Sequence, residues 1–231
     1  MDNNLNFNFF TGLPRFLGIV WHGVKQAPWK ENYVALLLSA LVIILFLIPG
    51  SREALQYQRN LVEAGEWWRL LTGSFVHTDI DHFTWNFITL LSSSLVAERM
   101  GRKRFVSFLI TCTCVMAIWH TSNFNNAWIS LGFSGIASGS FALLLIRISM
   151  EGWKIKEFWI GTISLLLLVL FIAHETGSWL STTPWEYFTG KALSGRTGKT
   201  VNGTHLTGIA VGIVIALIPS WPWNKPRTAS N

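Results

Sequence analysis

Four side chains on three separate apolar stretches have the types needed to cleave an acyl bond: Ser134, His205, His82 and Asn86. A serine hydroxyl is a weak nucleophile until a base takes its proton. Histidine is the side chain that supplies such a base near neutral pH. The tetrahedral intermediate then needs donors aimed at its oxyanion. His82 and Asn86 are spaced i, i+4 and share one helix face, so they can donate beside the backbone N–H of Ser134. Gly132 and Gly135 flank the serine and permit a tight turn with close backbone approach. Gly208 and Gly212 follow His205 on its own face, and Gly135 and Gly139 form a second small-xxx-small pair. Small residues let membrane helices pack closely, near enough for a Ser–His hydrogen bond of about 2.6–3.2 Å.

Each of these features has a plainer reading when taken alone. Gly and Ser are common in membrane helices, so a lone G-x-S-G says little. It is not the G-x-S-x-G elbow of soluble hydrolases, because Ile136 stands where the last glycine would be. A G-x-x-x-G is more often packing than chemistry, and one intramembrane histidine can be structural or part of a proton relay. What favours catalysis is that these residues fall at one depth of the same membrane domain.

That depth follows from the elements that carry them. The 231 residues are 50% hydrophobic and 13% charged, too apolar for an ordinary soluble domain. A span needs about 20 mostly apolar residues. Candidate spans run over 33–48, 82–98, 105–119, 132–150, 158–173 and 201–221, which predicts an all-α polytopic membrane protein with six transmembrane helices. Lys and Arg number 12 before the first span, after the second, in the last turn of the fourth and after it, and after the sixth, against 6 in the other connections. The positive-inside rule then places both termini in the cytoplasm. Even-numbered spans begin on the outer side, where His82 and Asn86, Ser134, and His205 each sit near the start of one. The charge count and the positions of these residues are independent, and they agree.

The domain reading is a cytoplasmic segment over 1–32, a membrane-embedded domain over 33–221 and a short cytoplasmic tail over 222–231. No cleaved signal peptide is expected, since the first 20 residues or so lack an apolar h-region. The first loop carries Glu66-Trp67-Trp68-Arg69, and its Trp pair suggests a segment lying in the membrane interface. A net charge of +6 is accounted for by basic loops facing anionic lipid and requires no nucleic acid. Cys112 and Cys114, at i and i+2, point to different faces, which argues against a disulfide or a metal pair.

At these residues the chain resembles the rhomboid family of intramembrane serine proteases, over roughly residues 30 to 221. Trp68-Arg69 with Thr72 and Phe75 resembles the family's W-R signature. His77-x4-His82-x3-Asn86 resembles its H-x4-H-x3-N stretch. Glu98 followed by Gly101 resembles the Glu near the inner end of the second helix. Gly132-Phe133-Ser134-Gly135 resembles the nucleophile turn, and His205-x2-Gly208-x3-Gly212 the last helix. In this order and spacing the motifs are specific. The resemblance implies a Ser134–His205 dyad without a third acid, and Asp79 and Asp81 do lie in the first loop, with no Asp in a span. It implies an oxyanion site from His82, Asn86 and the Ser134 backbone, and structural roles for Arg69, His77 and Glu98. It also implies a wet cavity open to the outside, gated laterally by the fifth span and the last loop. Its substrates would be single-span membrane proteins cut in or near their transmembrane segment.

Some features depart from that pattern. The loop before the sixth span is long and basic from Lys191 to Lys199, and Ser138 and Ser140 stand where bulkier apolar residues are expected. The run Gly65 to Gly73 is reminiscent of the rhombosortase branch. No cofactor or metal is called for: H-E-x-x-H is absent, as is an intramembrane Asp pair. The expected partners are a transmembrane substrate and membrane lipid, with the oligomeric state open. The expected location is a bacterial inner membrane, with the active site open to the extracytoplasmic side. The competing readings are a catalytically silent membrane-client binder, which would usually lack the Ser or His, and a small transporter, which would show midspan charges or an inverted repeat.

Overall fold

The computed structural model describes residues 31–77, 79–123, 129–130, 132–175 and 201–219, with the side chains of 81–82, 123, 129–130 and 201–202 excepted. The N-terminal segment, the basic loop Lys191 to Lys199, the end of the sixth run and the tail over 222–231 lie outside the described residues, as does the His82 side chain. The chain divides into two compact units, Met1–Tyr33 and Val34–Asn231, and the candidate residues all belong to the second.

The long apolar runs form helices because a bilayer offers no partner to an unpaired backbone group. In chain order they are α1 (Tyr33–Leu47), α5 (Ile80–Asn123), α6 (Ser134–Lys154), α7 (Phe158–Glu175) and α8 (Val201–Leu217). Between α1 and α5 the chain makes short pieces: α2 (Ser51–Leu55), β1 (Tyr57–Gln58), α3 (Arg59–Glu63), α4 (Arg69–Thr72) and a 3-10 turn over Gly73–Phe75. A second short strand, β2 (Ile129–Ser130), precedes α6.

α5 is a run of 44 residues, twice what one crossing needs. It is broken at Gly101, whose φ of 165° and ψ of 89° are not helical. The two halves correspond to the second and third apolar runs of the sequence. Among the described residues, stretches of α5 (Phe83–Ser122), α6 and α7 are long and apolar enough to cross a membrane, while α1 and the Gly203–Leu217 part of α8 are shorter apolar helices.

α6 is the centre of the bundle and packs against α5, α7 and α8. Its first seven residues, Ser134 to Ser140, are all buried. Phe105, Phe108, Met116, Phe133, Ile136 and Leu143 pack in one core with Val211 and Ile215 of α8. The outward faces are apolar as well: Leu37, Ile44 and Leu47 on α1, and Leu166 and Val169 on α7, are exposed. Helices that are hydrophobic all round suit a lipid surround rather than water. Cys112 is buried in the core and Cys114 exposed, and both are free thiols.

Candidate active site

Ser134 opens α6. Gly132, at φ +101°, turns the chain in a region that favours glycine, and Phe133 forms the N-cap. This turn is held from the first loop. The Gly132 N–H donates to the Gly73 carbonyl at 3.1 Å. Just upstream, β2 pairs antiparallel with β1, Tyr57 opposite Ser130 and Gln58 opposite Ile129. His77 lies with its ring edge-on to Phe133, centroids 4.3 Å apart, and Phe83 packs against both. The loop that carries the W-R pair is therefore a direct support of the serine turn.

The loop is in turn organised by Arg69, which is buried. Its Nε donates to Glu66 Oε2 at 2.6 Å, and Nη1 donates to the carbonyls of Glu53 (2.8 Å) and Gln56 (2.9 Å). Thr72 Oγ1 adds a bond to the Leu55 carbonyl at 2.8 Å. Burial pushes the Tyr57 phenol above its usual range, so it remains a neutral donor to the His120 carbonyl at 3.3 Å. Trp67, Trp68 and Leu71 face outward, leaving an apolar edge on the loop.

Glu98 occupies the far end of the same half of α5. Its side chain is fully buried and accepts from the N–H groups of Val34 (3.2 Å) and Ala35 (2.8 Å). A carboxylate at a helix start satisfies orphan donors and matches the positive end of the dipole. Arg102 Nε donates to Glu98 Oε1 at 2.9 Å and balances its charge.

The serine and histidine helices meet backbone to backbone at their glycines. A Cβ added to Gly208 would lie 1.9 Å from the Gly135 carbonyl oxygen, and one on Gly212 would lie 2.1 Å from that of Gly139. From the other side, a Cβ on Gly139 would lie 2.5 Å from the Gly208 oxygen, and one on Gly135 would lie 3.0 Å from the Thr204 oxygen. Residues 135 and 204 thus touch, and they are the chain neighbours of Ser134 and His205. Ser134 is buried, and the imidazole of His205 is 16% exposed. No hydrogen bond joins the two side chains: His205 Nε2 is buried with no partner among the described residues. A base awaiting its substrate often sits at longer range than in the reacting complex.

The other imidazole nitrogen is engaged. His205 Nδ1 lies 2.5 Å from Oε2 of Glu175, the last residue of α7. The resemblance implies a Ser134–His205 dyad without a third acid and does not single out this contact. A search for Asp within the spans passes over Glu175 because it stands two residues beyond the apolar run ending at Ala173. The available signal was a carboxylate just beyond the end of an apolar segment.

Asn86 is half-buried on α5, its Nδ2 3.5 Å from His77 Nε2, at the limit of a hydrogen bond. It and His77 therefore lie together, beside the Phe133 turn. Ser140 finds a partner in Ser93 of α5, their hydroxyl oxygens 2.5 Å apart, which explains a small polar residue at that buried position. Among the described residues no group of three or more His, Cys, Asp or Glu could hold a metal ion.

Comparison with known proteins bears on this arrangement. The chain is 27% identical over 151 residues to "Rhomboid protease GluP" of Bacillus subtilis (strain 168), an alignment covering 61% of this chain and 29% of that protein. The chain thus spans less than a third of the curated relative it matches. The Rhomboid domain model matches residues 64–222, which takes in the W-R loop, the serine turn and the histidine helix. With most of its length inside that match, and Asn86, Ser134, Glu175 and His205 with it, the chain belongs to the rhomboid family.

Proposed function

We propose that this protein is an intramembrane serine endopeptidase, with Ser134 as nucleophile and His205 as general base. Its domain would cross the membrane six times with both termini in the cytoplasm. The site would open to the extracytoplasmic side of a bacterial inner membrane. Family membership and a relative named as a rhomboid protease support the class of reaction. The observation that carries the residue assignment is the seating of Gly208 on the Gly135 carbonyl. It brings the start of α6 against the start of α8 with a free His205 Nε2 in the same layer.

The reaction uses each part once. His205 Nε2 takes the hydroxyl proton as Ser134 Oγ bonds to the scissile carbonyl carbon. Negative charge moves onto the carbonyl oxygen, where the Ser134 backbone N–H, Asn86 and His82 are the proposed donors. The C–N bond then breaks, and His205 delivers the proton to the leaving amine. Water, deprotonated by the same nitrogen, releases the acyl group from Ser134. The substrate would be a membrane protein cut in or near a transmembrane segment, since the site opens from a bundle with an apolar exterior.

A fluorophosphonate probe tests this directly. The wild-type protein in detergent or bicelles should be labelled on Ser134, and Ser134→Ala and His205→Ala should lose both labelling and cleavage while remaining folded. Cleavage by Ser134→Ala at the wild-type rate would refute the mechanism. Absence of labelling in a well-folded preparation would favour a silent client binder.

A further inference from the structure

We infer that Glu175 is a positioning residue for His205, holding the imidazole in the tautomer that the Ser134–His205 pair needs; the inference rests on Ser134 and His205 acting as proposed above. The geometry is that of an oriented base. Glu175 Oε2 lies 2.5 Å from His205 Nδ1, and the two side chains are 11% and 16% exposed. An ionised carboxylate can only accept, so the imidazole must carry its proton on Nδ1. The neutral ring then presents a lone pair at Nε2, which is buried and has no partner among the described residues. That tautomer is the one a serine-activating base needs. When Nε2 gains the serine proton, the imidazolium formed lies against a negative charge.

The position of Glu175 is hard to explain by stability alone. It ends α7, where the helix dipole disfavours an anion. It is also nearly buried at the edge of an apolar helix, where a carboxylate is costly. A glutamine would keep a hydrogen bond with less penalty, but its amide can donate to Nδ1 and so favour the opposite tautomer, with the proton on Nε2. The carboxylate is the group that fixes the ring in its basic form. The pair also ties the end of α7 to the start of α8, so the base is held from two helices.

The test uses the full chain in bicelles with wild type, Glu175→Gln, Glu175→Asp, Ser134→Ala and His205→Ala. Glu175→Gln should lower the rate of Ser134 labelling and the kcat for a transmembrane peptide by roughly 100-fold or more, as a mis-set tautomer does in Ser–His–Asp enzymes. KM and the thermal midpoint should hold. Glu175→Asp should recover at least tenfold of the loss. The 15N signals of the His205 ring should report an Nδ1–H tautomer in wild type and move toward Nε2–H in Glu175→Gln. Labelling of Glu175→Gln at the wild-type rate, still dependent on Ser134, would overturn the positioning role and leave the Ser134–His205 pair standing. Equal losses in Gln and Asp with a lowered thermal midpoint would make Glu175 a structural residue and overturn it too. Labelling indifferent to Ser134→Ala and His205→Ala would instead remove the reading beneath it.

Discussion

Gly208→Ala is the substitution whose consequence follows most directly from the geometry. The added Cβ would lie 1.9 Å from the Gly135 carbonyl oxygen, where ordinary contact begins at about 3.4 Å. The obstacle is backbone on a buried helix, not a side chain that can swing aside. To relieve it, α8 must move from α6 by about 1.5 Å at this level. That level is one helical turn from His205 and one residue from Ser134. A misplacement of about 1 Å between reacting groups can cost roughly 100-fold in rate. Gly208→Ala should therefore lower Ser134 labelling and peptide cleavage by about 100-fold, with helix content and membrane insertion retained. Gly101→Ala is the control, since its Cβ would meet nothing closer than Arg104 Cβ at 3.7 Å and should leave activity near wild type. If Gly208→Ala labels at the wild-type rate, close approach of these two helices does not set the catalytic geometry.

Other substitutions probe the supports of the site. Asn86→Ala should slow kcat by about 10- to 1000-fold if its amide stabilises the oxyanion, and an unchanged single-turnover rate would remove it from that role. Arg69→Ala leaves the buried carbonyl of Gln56 and the part-buried carbonyl of Glu53 without this donor, at a penalty of about 1–3 kcal/mol for the buried one. The thermal midpoint in detergent should fall, and Arg69→Lys should restore little, because an ammonium cannot reproduce the guanidinium fork. Glu98→Ala frees two N–H groups at the start of α1 and leaves Arg102 without its carboxylate. It should destabilise the fold by about 1–3 kcal/mol, read as a lowered midpoint with labelling per folded molecule preserved.

How much of this was legible in the sequence depends on the range of the interaction concerned. The helices were readable because a bilayer forces long apolar runs to satisfy their own backbones, and the observed bounds of α1, α6 and α7 fall within a few residues of those runs. The spacing of Gly135, Gly139, Gly208 and Gly212 announced a close crossing, because small residues at i and i+4 leave one face bare. Which carbonyl each glycine meets was not readable, since it depends on the register between two helices far apart in the chain. The first loop was opaque for a different reason. Strands of two residues have no periodicity, so the pairing of β1 with β2 leaves no mark in the pattern.

Glu175 shows where the limit falls. Whether a carboxylate at a helix end reaches water or a partner is decided by the last turn of that helix, and apolar content does not fix where that turn stops. The run ends at Ala173, yet α7 continues through His174 to Glu175. Two residues add about 3 Å of rise and about 200° of rotation, enough to move a carboxyl group from one side of α7 to the other. The same two residues thus decide between a solvated charge and one held 2.5 Å from the His205 ring. A sequence can therefore nominate the nucleophile and the base from their own helices. The carboxylate that meets the His205 ring belongs to a third helix, and that contact exists only once that helix's end is fixed in space.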